Sequence, residues 1–120
     1  MAFDDESFDV VVIGFCWFWT DRKYLMRAMA EADRVLKTGG YLAVYDFDTK
    51  NPYVRKNVHN NNVPTYKMDI ASLFLANPQY YLVEKRSFNE NGIGFNVKVQ
   101  EREALNVFYK QPIEDSYIIG

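Results

Sequence analysis

The sequence predicts an α/β fold: a strand–helix–strand unit, then a short helix and an antiparallel pair of strands. Three observations carry this. Val10 to Gly14, inside the stretch FDVVVIGF, are five consecutive residues with no polar face. Leu25, Ala28, Met29, Ala32, Val35 and Leu36 recur at three- and four-residue steps. A second apolar run, YLAVYDF from Tyr41 to Phe47, follows directly after Gly39-Gly40.

A run without alternation reads as a strand covered on both faces. Phe8 to Gly14 is therefore expected deep in a parallel sheet, although it begins close to the start of the chain. Cys16 to Trp19 lead into Thr20-Asp21, either of which caps a helix by accepting a backbone N–H. Arg22, Lys23, Arg27, Glu31, Arg34 and Lys37 occupy the side opposite the apolar steps, so this is an amphipathic helix of about four to five turns. Gly39-Gly40 ends it, because glycine accepts the left-handed conformation that terminates helices. Strand, helix and strand in this order make a βαβ unit with a parallel, right-handed crossover.

The texture then changes. Asp48 to Pro64, DTKNPYVRKNVHNNNVP, is polar and asparagine-rich and reads mostly as loop. A loop of this length in a small domain is functional or disordered. Asp69 to Ala76 reads as a short helix, stopped before Pro78. Tyr80 to Phe88 alternates as a strand, Asn89 to Gly94 is turn-forming, and Glu103 to Tyr109 is a last strand. The short connection between these strands predicts an antiparallel pair. Ile113 to Gly120 is a tail.

The 120 residues suit one domain, 1–120. Hydrophobic content of 48% and charged content of 25% are ordinary for a globular protein. Aromatic content of 17% is high and fits a core, a pocket or an interface equally. A net charge of −2 offers no basic field for nucleic acid. The single cysteine excludes an internal disulfide and a cysteine-built zinc site. No apolar run reaches the roughly 18 residues that span a bilayer, so no membrane is expected. The acidic DDE near the N-terminus does not fit a signal peptide, and a cytoplasmic protein is the expectation.

The order of elements resembles the C-terminal portion of a class I S-adenosylmethionine-dependent methyltransferase of the small-molecule type. FDDESFDVVVIGF is similar to the family segment in which an acidic turn and Phe-Asp lead into the fourth strand. EADRVLKTGGYLAVYDFD is similar to its helix end, Leu-Lys-x-Gly-Gly turn and fifth strand. DIASLFLANPQYYLVEKRSF is similar to the next helix and the sixth strand. The resemblance covers about residues 3 to 109. It implies a partial Rossmann-like sheet and S-adenosylmethionine-dependent methyl transfer to an unknown small molecule in the complete enzyme.

One departure is large. The family holds its cofactor mainly through a Gly-x-Gly-x-Gly turn after the first strand and an acidic residue ending the second. This sequence has neither. Gly39-Gly40 sits at a helix end and Gly92-Ile93-Gly94 between late strands; neither follows an early strand and opens a helix, as a nucleotide cradle does. The chain therefore reads as half of an enzyme, expected to bind no cofactor or to be weak or inactive alone. Met1 fits a native start and an internal methionine equally.

Candidate site residues follow from the resemblance. Gly14, Phe15 and Cys16 end the first strand, where ligands of open parallel sheets bind, and would touch the methionine part of the cofactor. Core packing is the competing explanation. Trp17, Phe18 and Trp19 are candidates for a substrate pocket, since aromatic faces attract a sulfonium, although core or interface packing explains them better. Asp46 and Asp48 end the second strand, where a carboxylate accepts a proton from a nucleophile; capping or solvation is the plainer role. His59, the only histidine, has no partners at ligand spacing, so no metal is expected. Lys50, Arg55 and Lys56 lie in the long loop and serve solubility or an anionic group equally.

In the family sheet, the strand at Val10 to Ile13 is interior, and its outer edge pairs with a first strand that this sequence lacks. A long apolar edge is an association hazard. The expectation is a homodimer, or a partner chain, joined through Val10 to Ile13, with like strands paired across a two-fold axis. An enzyme portion, an assembly module that dimerises or completes a partner, and a shortened reading frame all stay open.

Overall fold

Leu25, Met29, Ala32 and Val35 are buried, and their spacing places them on one stripe of the helix α1 (Arg22–Val35). In the computed structural model, which describes residues 3–14, 22–49, 53–56, 64–89, 92–93 and 102–117, this stripe packs on a sheet. The strands are β1 (Phe8–Gly14), β2 (Leu36–Phe47), β3 (Tyr53–Lys56), β4 (Pro64–Lys67), β5 (Tyr80–Asn89), β6 (Gly92–Ile93) and β7 (Glu103–Lys110). The main sheet has five strands in the order β1-β2-β7-β5-β6. β1 and β2 are parallel, and β7 runs antiparallel between β2 and β5. The expected βαβ unit and late antiparallel pair are both present.

The core lies on one face of this sheet. Ile13, Leu42, Val44 and Phe108 face α1 and a 3₁₀ helix, Ala71–Ala76, that supplies Ala71 and Phe74. Phe74, Tyr80 and Phe108 form an aromatic triad with ring centroids 5.4 to 6.2 Å apart. Each large side chain buried here contributes roughly 1.5–3 kcal/mol. The short helix expected over Asp69 to Ala76 is thus present in the tighter form. Asp69 opens it by accepting the Ser72 hydroxyl at its carbonyl (2.9 Å), and the chain leaves it before Pro78.

The helix ends at Val35 rather than near Lys37. Glu6 and Ser7 donate their backbone N–H groups to the carbonyls of Arg34 and Val35 (2.8 and 3.0 Å), and Phe8 pairs with Leu36. The segment before β1 thus takes up helix-end acceptors that another turn would have used. Leu36 to Gly40 then bulge, so that Phe8 faces Leu36 but Val10 faces Tyr41. Both glycines are required there, for different reasons. Gly39 has a φ of +89°. At Gly40 an added Cβ would lie 2.6 Å from the Asp9 carbonyl oxygen and 2.9 Å from that of Lys37.

Two expectations are corrected. Asp48 to Pro64 was expected to be mostly loop, yet Tyr53–Lys56 pairs antiparallel with Pro64–Lys67. Backbone pairing needs no apolar alternation, so the polar sequence gave no sign of it. β1 was expected to be covered on both faces. Ile13 is buried, but Val10 and Val12 are 56% and 69% exposed. Successive strand residues face opposite ways, and α1 and the 3₁₀ helix both pack on the Ile13 side. The other face carries Val10 and Val12 of β1, Tyr41, Ala43 and Tyr45 of β2, and Leu105, Val107 and Tyr109 of β7. Tyr41 and Tyr109 (5.5 Å) and Tyr45 and Phe88 (5.1 Å) make ring contacts across it. The helix start at Thr20-Asp21 lies outside the described residues.

Candidate functional site

Parallel pairing brings the carboxyl ends of β1 and β2 together, with Gly14 opposite Tyr45. A Cβ built at Gly14 meets nothing within 4 Å. Close packing therefore does not require glycine at this position, and the backbone at the strand end is approachable. Gly14 shares the open face with Tyr45. The Tyr45 hydroxyl lies 3.2 Å from a Glu103 carboxylate oxygen, and burial, then the Glu103 charge and hydrogen bond, push the phenol up to about 12.

Asp46 and Asp48 lie on the opposite, helix-bearing side. Asp46 is fully buried, and its Oδ1 accepts the Phe47 N–H at 2.7 Å. Asp48 is buried and held from three directions. Its Oδ1 accepts from Lys85 Nζ (2.8 Å), and its Oδ2 accepts from Arg102 Nε (2.9 Å) and the Ser87 hydroxyl (3.3 Å). The Asp48 backbone N–H donates to the Arg102 carbonyl, and the Asp48 carbonyl accepts from Arg102 Nε. Asp69 lies 3.4 Å from the Lys85 ammonium. Burial pulls the Lys85 ammonium down, but the hydrogen bond to Asp48 and the charges of Asp69 and Asp48 outweigh it and hold the group above its ordinary value. The arrangement ties the end of β2 to β5 and to the start of β7. Removing one partner of so enclosed an ion pair costs roughly 3–5 kcal/mol.

Of the residues singled out by sequence, the structure thus places Gly14 beside the end of β2 and puts the two aspartates on the far side of the sheet from it. Phe15, Cys16, Trp17, Phe18, Trp19, Lys50 and His59 lie outside the described residues, and of Arg55 and Lys56 only the backbone is described. The sequence reading missed Lys85, Ser87 and Arg102. The signal of Lys85 and Ser87 was hidden by a bulge between Leu82 and Glu84, which shifts the two-residue alternation of β5 midway. Among the described residues, no group of His, Cys, Asp and Glu could hold a metal ion, and no helix is long and apolar enough to cross a membrane.

A second polar cluster was also missed. Lys110, at the end of β7, is buried and donates to the carbonyls of Asp33 (2.8 Å) and Leu36 (2.9 Å), at the C-terminus of α1. Its ammonium lies 3.1 Å from Asp33 Oδ1, which also accepts the Tyr80 hydroxyl at 2.7 Å. Burial, with the Asp33 hydrogen bond and charge, raises the Tyr80 phenol above its usual range. A cavity of about 300 Å³ adjoins this cluster between α1 and the 3₁₀ helix, lined by Met26, Met29, Asp33, Leu73, Phe74 and Tyr80 among others. It lies toward the end of the sheet where β2 begins, away from Gly14.

A family model described as a methyltransferase domain matches residues 1–44. No curated protein gives a significant match. Among solved structures, an S-adenosylmethionine-dependent methyltransferase from Methanosarcina mazei is similar at a TM-score of 0.70 and 16% identity, over 92% of this chain and 63% of that one. The 1,6-didemethyltoxoflavin-N1-methyltransferase of Burkholderia thailandensis, solved with 1,6-didemethyltoxoflavin and S-adenosylhomocysteine bound, is similar at a TM-score of 0.65 and 12% identity, over 90% and 46%. A protein from Pyrococcus horikoshii is similar at 0.60 and 15% identity, over 92% and 55%. The chain thus spans 46% to 63% of the length of these structures. The matched residues 1–44 hold β1, α1 and the first part of β2, and the structural likeness extends through the remaining strands: the chain shares the α/β fold of the matching part of these S-adenosylmethionine-dependent methyltransferase structures.

Proposed function

We propose that the fold to which this chain belongs transfers the methyl group of S-adenosylmethionine to an acceptor, and that this chain supplies the wall beside the methionine part of the cofactor. The observation that carries this reading is the bare backbone of Gly14, at the carboxyl end of a parallel strand, where ligands of such sheets bind. The fit is one-sided. Gly14 gives a cofactor room to approach, with Phe15 and Cys16 next in the chain. Asp48, with both carboxylate oxygens bound to cations and a hydroxyl, has none to offer a ribose. Asp48 is then a positioning residue that fixes the strand ends, rather than the group that takes a proton from the acceptor.

The cofactor supplies the electrophilic methyl group, and the chain's own contribution is to hold one side of it in line with the acceptor. Without a glycine-rich turn, this chain alone binds weakly. An amide-resolved NMR titration with S-adenosylhomocysteine at millimolar concentration tests the assignment. The expected result is a shift of the Val12 to Gly14 amides that Gly14→Val abolishes. Unmoved amides at that strand end, with the rest of the spectrum folded, would overturn it.

A further inference from the structure

The cavity of about 300 Å³ between α1 and the 3₁₀ helix has one apolar side and one charged end. Met26, Met29, Ala30 and Asp33 line it from α1 at steps of three and four, so a single stripe of that helix forms one wall. Leu73 and Phe74 line it from the 3₁₀ helix, and Tyr80 from the start of β5. Met29, Phe74 and Tyr80 are buried and packed into the core, so the floor is already formed. The volume lies at the small end of the range for small-molecule sites. The lining follows their pattern of apolar and aromatic groups with few polar ones.

The charged end offers acceptors. The Lys110 ammonium is occupied by the carbonyls of Asp33 and Leu36 and by Asp33 Oδ1, and an ammonium has three N–H groups to give. The Tyr80 hydroxyl proton is likewise committed to Asp33 Oδ1. Among the described residues no hydrogen bond reaches Asp33 Oδ2, and the Asp33 side chain is 36% exposed. Asn77, a further polar residue on the lining, accepts the Gln79 N–H at 3.0 Å. A carboxylate oxygen beside the rings of Phe74 and Tyr80 suits a cationic donor, and the Met26 and Met29 thioethers pack well on an aromatic ring. We propose that this cavity binds a small aromatic amine in its ammonium form. The ring lies among Met26, Met29 and Leu73, and the nitrogen donates to Asp33 Oδ2. Because Lys110 already offsets part of the Asp33 charge, the affinity is modest, about millimolar. The site lies at the opposite end of β2 from Gly14 and does not depend on the methyl-transfer reading.

NMR titration of the whole chain with phenethylammonium, and separately with 3-phenylpropionate, tests the proposal. The two probes carry a similar ring and opposite charges. Phenethylammonium is expected to shift the Asp33 and Asn77 amides and the Met26 and Met29 methyl groups, and 3-phenylpropionate to bind at least about tenfold more weakly. Ala30→Phe, at an exposed position on the cavity wall, is expected to fill the space and abolish the shifts while the rest of the spectrum stays folded. Asp33→Asn is expected to remove the preference for the amine. Equal binding of the two probes, or a preference that survives Asp33→Asn, would overturn the pairing of an ammonium with Asp33. Shifts that survive Ala30→Phe, or no shifts at about 10 mM amine, would overturn the site itself. If Asp33→Asn fails to fold, the two probes on the wild type and on Ala30→Phe decide the question by themselves.

Discussion

Replacing Lys110 with methionine keeps the aliphatic stem and removes the buried ammonium that caps α1. Three interactions go: donation to the carbonyls of Asp33 and Leu36 at 2.8 and 2.9 Å, and the contact with the Asp33 carboxylate at 3.1 Å. A charged hydrogen bond contributes roughly 1.5–3 kcal/mol, and breaking a buried ion pair costs roughly 3–5. The Asp33 side chain is 36% exposed, so water recovers part of its loss. The expected destabilisation is about 2–4 kcal/mol, a fall in Tm on the order of 10 °C for a chain of this length. Urea unfolding at fixed protein concentration measures it. Asp33→Asn, which leaves the Tyr80 hydroxyl an acceptor, is the companion variant. The double variant should cost at least about 1 kcal/mol less than the sum of the singles, because the stranded carboxylate is gone. A Lys110→Met loss under about 1 kcal/mol, or strict additivity, would refute the claim that this ammonium holds the helix end.

Two further outcomes are expected. Gly40→Ala should destabilise by more than Gly39→Ala: the first drives a Cβ into the Asp9 and Lys37 carbonyls, whereas the second meets open space and pays only roughly 1 kcal/mol for its left-handed backbone; equal losses in thermal unfolding would contradict the distinction. In alkali, Tyr45 and Tyr80 hold their protons more tightly folded than unfolded, so their contribution to stability is intact below the unfolded tyrosine value near 10. It is lost as pH rises through the folded values, about 12 for Tyr45. Absorbance at 295 nm should show a late ionisation step that Tyr45→Phe removes.

The strand–helix–strand core was legible because period and punctuation agreed. Leu25, Met29, Ala32 and Val35 marked the stripe, and Tyr41 to Phe47 marked the second strand, although Gly39-Gly40, expected to end the helix, lie within β2. What escaped the sequence reading had no local signature. The pairing of Tyr53–Lys56 with Pro64–Lys67 is a backbone register that carries no apolar alternation in the sequence. Lys110 and Arg102 read as surface charges until their partners, 54 to 77 residues away, are known. The uncovered face of β1 was misread for a physical reason. Apolar residues on both sides of a strand show that both sides can be covered, not that the same chain covers them. The site reading divides in the same way. Gly14 at the strand end was found from its place in the βαβ unit, but the role of Asp48 depended on which distant cations reach it.

β7, last in sequence among the described strands, lies between β2 and β5. Emerging vectorially from a ribosome, the chain has made α1, β2 and β5 before the strand that joins them exists. Until Lys110 is out, β2 and β5 each present a raw edge, and the end of α1 lacks its cap. Completion is therefore a late, long-range event of high contact order. The nascent chain passes through a stage in which its sheet is open in the middle, and there a holding chaperone would have most to grip.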